Sequence, residues 1–256
     1  MKNLFFILLS LVSFFGCKPQ SEPQSILPQE PQKSVEKPKF GKSGRALNNK
    51  IVESYLSDFG DKNQETVLLM KTSKGNMKIR LYTDTPLHRA NFIRLVKLDF
   101  FDNTVFYRVV KGFAIQGGDT DQKGRKEYKE SFGSYSIPAE FRSSRFHKRG
   151  VLAATRDYGD NPTRRSSPYD FYIVQGTTFA EPDLAKIERE QNYKFSQEQR
   201  EYYRSNSGAA HLDGEHTVFG EVIDGLNVID KIAEVKSDDG GWPYEDVTIF
   251  DIEILK

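Results

Sequence analysis

The run Phe106-Tyr107-Arg108-Val109-Val110-Lys111-Gly112-Phe113-Ala114-Ile115-Gln116-Gly117-Gly118-Asp119 constrains this chain more than any other stretch. Apolar residues crowd both sides of Lys111-Gly112, so the run reads as two short strands joined at that point. The second strand ends in Gly117-Gly118, a pair that strand interiors avoid and sharp turns use. Arg108, Phe113 and Gln116 therefore lie within a few residues of each other on one sheet. No Gly-Lys-Ser/Thr follows Gly112, Gly117, Gly118 or Gly124, so these glycines are not a phosphate loop. Their role is to let the backbone turn sharply.

The folded region is expected to begin near Glu65. Residues 67–72 and 76–81 flank Ser73-Lys74-Gly75 and read as a hairpin. Thr85-Pro86 opens a helix, with proline suited to its first turn, and Ala90, Ile93 and residues 95–98 carry its apolar face. Residues 150–154, 171–174, 217–223 and 247–255 read as further strands, and 226–233 as a second helix. Many strands, two helices and no repeating βαβ unit predict a mainly β domain, a closed barrel capped at its ends. Residues 179–207 break that rhythm. Pro182-Asp183-Leu184-Ala185-Lys186-Ile187-Glu188 and Ser196-Gln197-Glu198-Gln199, the second a capping-box pattern, predict an inserted helical hairpin. Scaffolding and selection of a partner or substrate are both open for it.

The N-terminus is of another kind. Lys2 and the apolar stretch 4–15 are too short to span a bilayer, which needs about 20 residues, and fit a secretory signal. Cys17, the single cysteine of the 256 residues, follows directly after Gly16, so no internal disulfide is available. This arrangement resembles the lipobox of bacterial lipoproteins, although Phe15 is bulkier than that motif usually allows. The resemblance implies lipidation of Cys17 and a bacterial cell-envelope location held by a lipid anchor. Lys18, where some lipoproteins carry an inner-membrane retention aspartate, points to the outer membrane, facing the periplasm. Residues 18–64 read as a flexible tether, rich up to about residue 42 in Pro, Gln, Ser, Glu and Lys. Within it a short helix is expected over 46–60, from the spacing of Ile51, Val52, Tyr55, Leu56 and Phe59. It would dock on the barrel or bind a partner. With 37 basic and 36 acidic side chains, nothing calls for a nucleic-acid partner.

The central run, and the order of elements over roughly 66–256, resemble the cyclophilins, peptidyl-prolyl cis/trans isomerases built on a closed eight-stranded antiparallel barrel. The resemblance implies no cofactor and no metal. It implies Arg108 as the electrostatic catalyst and Gln116 as the residue that orders it. Phe113, Ala114, Phe171, Tyr172, Leu212 and His216 would line the substrate pocket, and proline-containing segments of exported proteins would be the substrates. Four positions depart from the family. Tyr107 replaces a histidine, Tyr172 a phenylalanine, Arg156 an asparagine and Asp170 a glutamine. His211 stands where many eukaryotic members carry a tryptophan important for cyclosporin binding, which implies weak sensitivity to that drug. Glutamine can donate an N–H, whereas an ionised aspartate only accepts. The resemblance puts Asp170 near Arg108, where it would either orient the arginine or hold it away from the proline nitrogen. Arg156 would offset the added negative charge. The rival to an enzyme is a non-catalytic module that holds proline-containing segments in the same groove. A zinc site at His211 and His216 lacks a third ligand, and Asp157, Asp160, Asp238 and Asp239 lack calcium-loop spacing.

Overall fold

A computed structural model describes residues 44–118 and 125–255. The expected signal segment 1–17, Cys17 and the tether up to residue 43 lie outside the described residues. In chain order, β1 (Leu47–Asn48) and α1 (Val52–Lys62) precede β2 (Val67–Thr72), β3 (Gly75–Leu81) and α2 (Pro86–Lys97). Next come β4 (Thr104–Val110), β5 (Ala114–Gly117), α3 (Arg125–Ser131), β6 (Gly133–Ser134), β7 (Val151–Ala154) and β8 (Phe171–Val174). The chain continues through α4 (Glu181–Gln191), α5 (Gln197–Ser205), a 3₁₀ turn at Ala210–Leu212 and β9 (Val218–Asp224). It ends with α6 (Leu226–Ala233) and β10 (Thr248–Ile254).

Eight of these strands close into an antiparallel barrel in the order β10-β2-β3-β9-β7-β8-β5-β4, with β4 pairing back onto β10. Side chains alternate between the two faces of each strand. Leu68, Met70, Ile79, Ile115, Leu152, Ile173 and Phe219 fill the interior. Helices α2 and α6 close the same core with Phe92, Ile93 and Leu95, and with Val228, Ile229 and Ile232. The alternate residues of β5, β7, β8 and β9, namely Ala114, Ala153, Tyr172, Val174 and Val218, form a second, outer apolar cluster with Leu212 and Phe113. This outer patch is where a site can form.

Residues 44–64, read from the sequence as the distal part of the tether, are built into the domain. Leu47 pairs in parallel with Gly133, and Val52 and Leu56 are buried. The helix starts at Val52, because the residues before it are drawn into the β1 pairing and a turn. Its Gly60 lies flat on Ala90, and the Arg89 guanidinium donates to the carbonyls of Gly60 and Asn63. That caps the C-terminal end of α1, where carbonyls lack intrahelical donors. The start of α2 is served from a distance. Glu140 accepts from the backbone N–H groups of Leu87 and His88 and from His88 Nδ1, a buried carboxylate at the positive end of a helix.

The insertion is two helices closed at the neck, where Thr177 and Gly208 exchange backbone hydrogen bonds. Ser196 and Gln199 make the capping box of α5 that the sequence indicates. Phe146, Leu184, Phe195, Tyr203 and Ala210 give the hairpin a small core of its own, separate from the barrel's.

Candidate active site

Strand β4 departs from strict alternation. Phe106 and Val109 both point inward, 1% and 3% exposed, which an unbroken two-residue period forbids. The ladder to β5 resolves this by slipping one residue between Phe106↔Gly117 and Arg108↔Gln116, a β-bulge at Tyr107. Bulges re-aim side chains next to functional sites. Here Tyr107 and Arg108 both face out, beside Gln116. The connection to β5 is a tight turn in which the Phe113 N–H donates to the Val110 carbonyl, with Gly112 at φ 77°. A left-handed third residue of this kind favours glycine. Gly118 (φ 114°) is likewise required, since a Cβ there would lie 2.3 Å from the Tyr169 carbonyl oxygen.

On this outer face lies a groove of about 320 Å³. Phe113, Ala114, Tyr172 and Leu212 supply its apolar wall. Arg108, Gln116, Arg156 and His216 supply its polar rim, together with Thr155 and Tyr158. Arg108 is exposed, with its guanidinium carbon 5.9 Å from the Phe113 ring centroid. Among the described residues no hydrogen bond or ion pair reaches that guanidinium, so its donors face the groove uncommitted.

The expected pairing of Asp170 with Arg108 is corrected by the geometry. Asp170 Oδ1 accepts from the Tyr107 hydroxyl at 3.2 Å and Oδ2 from Ser167 Oγ at 2.7 Å. The Tyr107 oxygen in turn accepts from Gln116 Nε2 at 2.6 Å. Two departures from the family thus match each other, a tyrosine that donates and an aspartate that only accepts. The bond also fixes the Gln116 amide with its nitrogen toward Tyr107, leaving its oxygen as the acceptor toward the groove. Gln116 faces Arg108 across the ladder but is held by Tyr107. Asp170→Gln is therefore expected to leave kcat/KM within about threefold of wild type, because glutamine keeps an acceptor for Tyr107. An increase of about tenfold or more in a peptide isomerisation assay would show instead that Asp170 restrains Arg108.

Arg156 does not offset Asp170 either. Its guanidinium bonds the Glu215 carboxylate and the Glu215 carbonyl, and stacks 4.0 Å above the Tyr158 ring. Phe171 is a further correction. It is 1% exposed and packs edge-on against Phe92 and Phe101 in the barrel interior. Alternation along β8 sends it inward while Tyr172 faces the groove. The added hydroxyl of Tyr172 does not make the wall polar, because it is bonded to His147 Nε2 at 2.8 Å beneath the groove. Burial holds that phenol well above its ordinary pKa of 10. His211 packs against Phe113 with the rings tilted by 31° and their centroids 5.3 Å apart, and burial lowers its pKa.

His216 Nδ1 donates to the Ala154 carbonyl, so Nε2 accepts from the Tyr158 hydroxyl at 2.6 Å. Burial pushes its pKa from the ordinary 6.5 down to about 4, leaving the His216 ring uncharged near neutrality. The unfolded chain takes up a proton here between about pH 6.5 and 4 that the folded chain refuses. The stabilisation is thus complete above about pH 6.5 and is lost as pH falls toward 4. Thermal midpoints should fall more steeply over that window for wild type than for His216→Gln; parallel curves would contradict the neutral histidine.

Sequence reasoning missed Tyr158, Thr155 and His147. Tyr158 had a signal, a lone aromatic in a loop of Asp, Gly, Asn and Pro. His147 had none, because its partners are remote in sequence. Among the described residues no three His, Cys, Asp or Glu are grouped to hold a metal.

The family model described as cyclophilin type peptidyl-prolyl cis-trans isomerase/CLD matches residues 67–254. A curated protein of Streptococcus pyogenes, named as a bifunctional phosphatase/peptidyl-prolyl cis-trans isomerase, is 34% identical over 192 residues. The match takes in 73% of this chain, which spans only 38% of that longer protein. A peptidyl-prolyl cis-trans isomerase, so named, of Staphylococcus saprophyticus is 30% identical over 196 residues, 75% of this chain and 93% of its own length. Among solved structures, a Cryptosporidium parvum cyclophilin type isomerase crystallised in the presence of the dipeptide Ala-Pro aligns with a TM-score of 0.52 at 21% identity. That alignment covers 74% of this chain and 99% of the other.

Proposed function

The chain belongs to the cyclophilin-type peptidyl-prolyl cis-trans isomerase family, and we propose that it isomerises X-Pro bonds in exported proteins while anchored to the cell envelope through Cys17. Rotation about an amide faces a barrier of about 18–20 kcal/mol, because conjugation is lost on the way. In the twisted state the proline nitrogen recovers a lone pair and can accept a hydrogen bond. Phe113, Leu212 and the Tyr172 ring hold the pyrrolidine. Gln116 offers its oxygen to a substrate backbone N–H, and Arg108 donates to the developing lone pair. A donor aimed at charge that appears only in the transition state lowers the barrier without tightening the ground state.

One observation carries this reading over the binding module: the uncommitted guanidinium of Arg108 above the apolar wall. The rival needs that arginine sequestered. Both readings share a proline-containing peptide as ligand, in keeping with the Ala-Pro present with the Cryptosporidium parvum protein. The anchor rests on Lys2, the apolar stretch and the position of Cys17, and the outer-membrane location on Lys18. Each buried methylene of an attached acyl chain contributes about 0.8 kcal/mol to membrane affinity. The test is metabolic labelling of the full-length protein with a radiolabelled fatty acid in a bacterial host. Label retained in wild type and lost in Cys17→Ser supports the anchor. Label absent from wild type sinks it, and leaves the isomerase reading standing.

A further inference from the structure

Beneath the apolar wall of the groove lies a buried polar chain that ends in the inserted hairpin. The Tyr172 hydroxyl meets His147 Nε2 at 2.8 Å, with the two rings nearly parallel at 11°. His147 Nδ1 and its backbone N–H both donate to Asp213 Oδ1, at 2.8 and 2.9 Å. Asp213 Oδ2 accepts from the Tyr203 hydroxyl at 2.8 Å and from Gln199 Nε2 at 3.0 Å. Tyr203 and Gln199 stand on α5, inside the insertion. His147, Gln199, Tyr203 and Asp213 are each 3% exposed or less.

The donor roles follow from the ends of the chain. A carboxylate only accepts, so His147 carries its proton on Nδ1. Its Nε2 is left to accept from the Tyr172 hydroxyl in the neutral imidazole. Four donors converge on the two oxygens of Asp213, which fixes the carboxylate, then the imidazole plane, then the phenol. Gln199 cannot drift, because its Oε1 also holds the Ser196 N–H in the capping box. A barrel carrying phenylalanine at position 172 would have no hydroxyl for His147 to hold, and its wall would be set by packing alone.

We propose that Gln199 and Tyr203 are positioning residues for the substrate groove: through Asp213 and His147 the inserted hairpin fixes the ring of Tyr172 against which the proline packs. The hairpin thus acts on ground-state binding of the peptide and leaves the Arg108 step untouched. This rests on the isomerase reading for its substrate, and its test separates the two.

Tyr203→Phe in the full-length protein removes one hydroxyl donor and keeps the ring packed. It should raise KM for a short Ala-Pro peptide about three- to tenfold and leave kcat within about twofold, the pattern of lost uniform binding. In a Tyr172→Phe background the connection to the groove is already cut, so the same Tyr203→Phe change should then alter KM by less than about 1.5-fold. A structural role alone would produce equal factors in both backgrounds, and that result overturns the proposal. So does an unchanged KM in the single variant. Should Tyr203→Phe fail to fold, Gln199→Met provides the same cycle. If wild type shows no catalysis, the isomerase reading fails by itself. The cycle is then read from the peptide's Kd by NMR titration, with the same factors expected and the same equality fatal.

Discussion

Arg108→Ala is expected to lower kcat/KM for an Ala-Pro peptide by about 10- to 160-fold, since a charge-assisted hydrogen bond is worth about 1.5–3 kcal/mol and each 1.36 kcal/mol is a factor of ten. The loss should fall in kcat, because the bond forms only once the proline nitrogen has regained its lone pair. Peptide affinity, set by Phe113, Tyr172 and Leu212, should change less than about threefold. Stability should hardly move. Arg108 is exposed and no described residue bonds its guanidinium, and surface replacements of this sort stay within about 0.5 kcal/mol. Arg108→Lys should fall between the two proteins, keeping charge but losing the planar fork. Peptide isomerisation followed beside calorimetry checks both halves. Equal losses in peptide affinity and kcat/KM would make Arg108 a binding residue only.

Phe171→Ala carries the largest expected effect on stability. The ring is 1% exposed among Phe92, Phe101 and Phe106, with centroids 5.7, 5.7 and 6.3 Å away. Truncating a buried phenylalanine costs about 3–5 kcal/mol, through lost transfer energy and the cavity left behind. At about 2–4 °C per kcal/mol for a domain of this size, the thermal midpoint should drop by about 6–20 °C. Because the ring lies inside the barrel, KM measured well below that midpoint should stay within about threefold of wild type. The reverse pattern, a small drop in midpoint and a large rise in KM, would return Phe171 to the groove.

The contrast between Phe171 and Tyr172 shows where sequence reading stops. The run of four apolar residues at 171–174 identifies a strand but contains no polar residue to say which pair faces inward. Only pairing with Gly117 and Gln116 on β5 settles the phase. Strand β4 fails in a related way. Its composition says strand, yet the bulge at Tyr107 that turns Arg108 outward comes from the ladder to β5. The barrel itself was legible because each strand carries its own apolar run and turn signals. The capping box of α5 was legible because all its groups lie within four residues.

Polar pairings between loops were beyond reach. Asp170 was recognised as a departure, but its partner Tyr107 depends on how β4 and the loop before β8 meet. The chain from Tyr203 to Tyr172 draws on four segments that no local pattern connects. Arg156 illustrates the same limit, since its charge is taken up by Glu215 from another loop.

The central claim is that the groove turns over proline peptides and does not merely hold them. Its most direct test is two-dimensional exchange NMR on an Ala-Pro peptide present in large excess over the full-length protein. The account predicts cis–trans exchange cross-peaks whose rate rises in proportion to protein concentration, far above the uncatalysed process, which takes tens to hundreds of seconds. Peptide resonances that shift or broaden on binding while the cis–trans exchange rate stays at its uncatalysed value would contradict it, and would make this barrel a binding module.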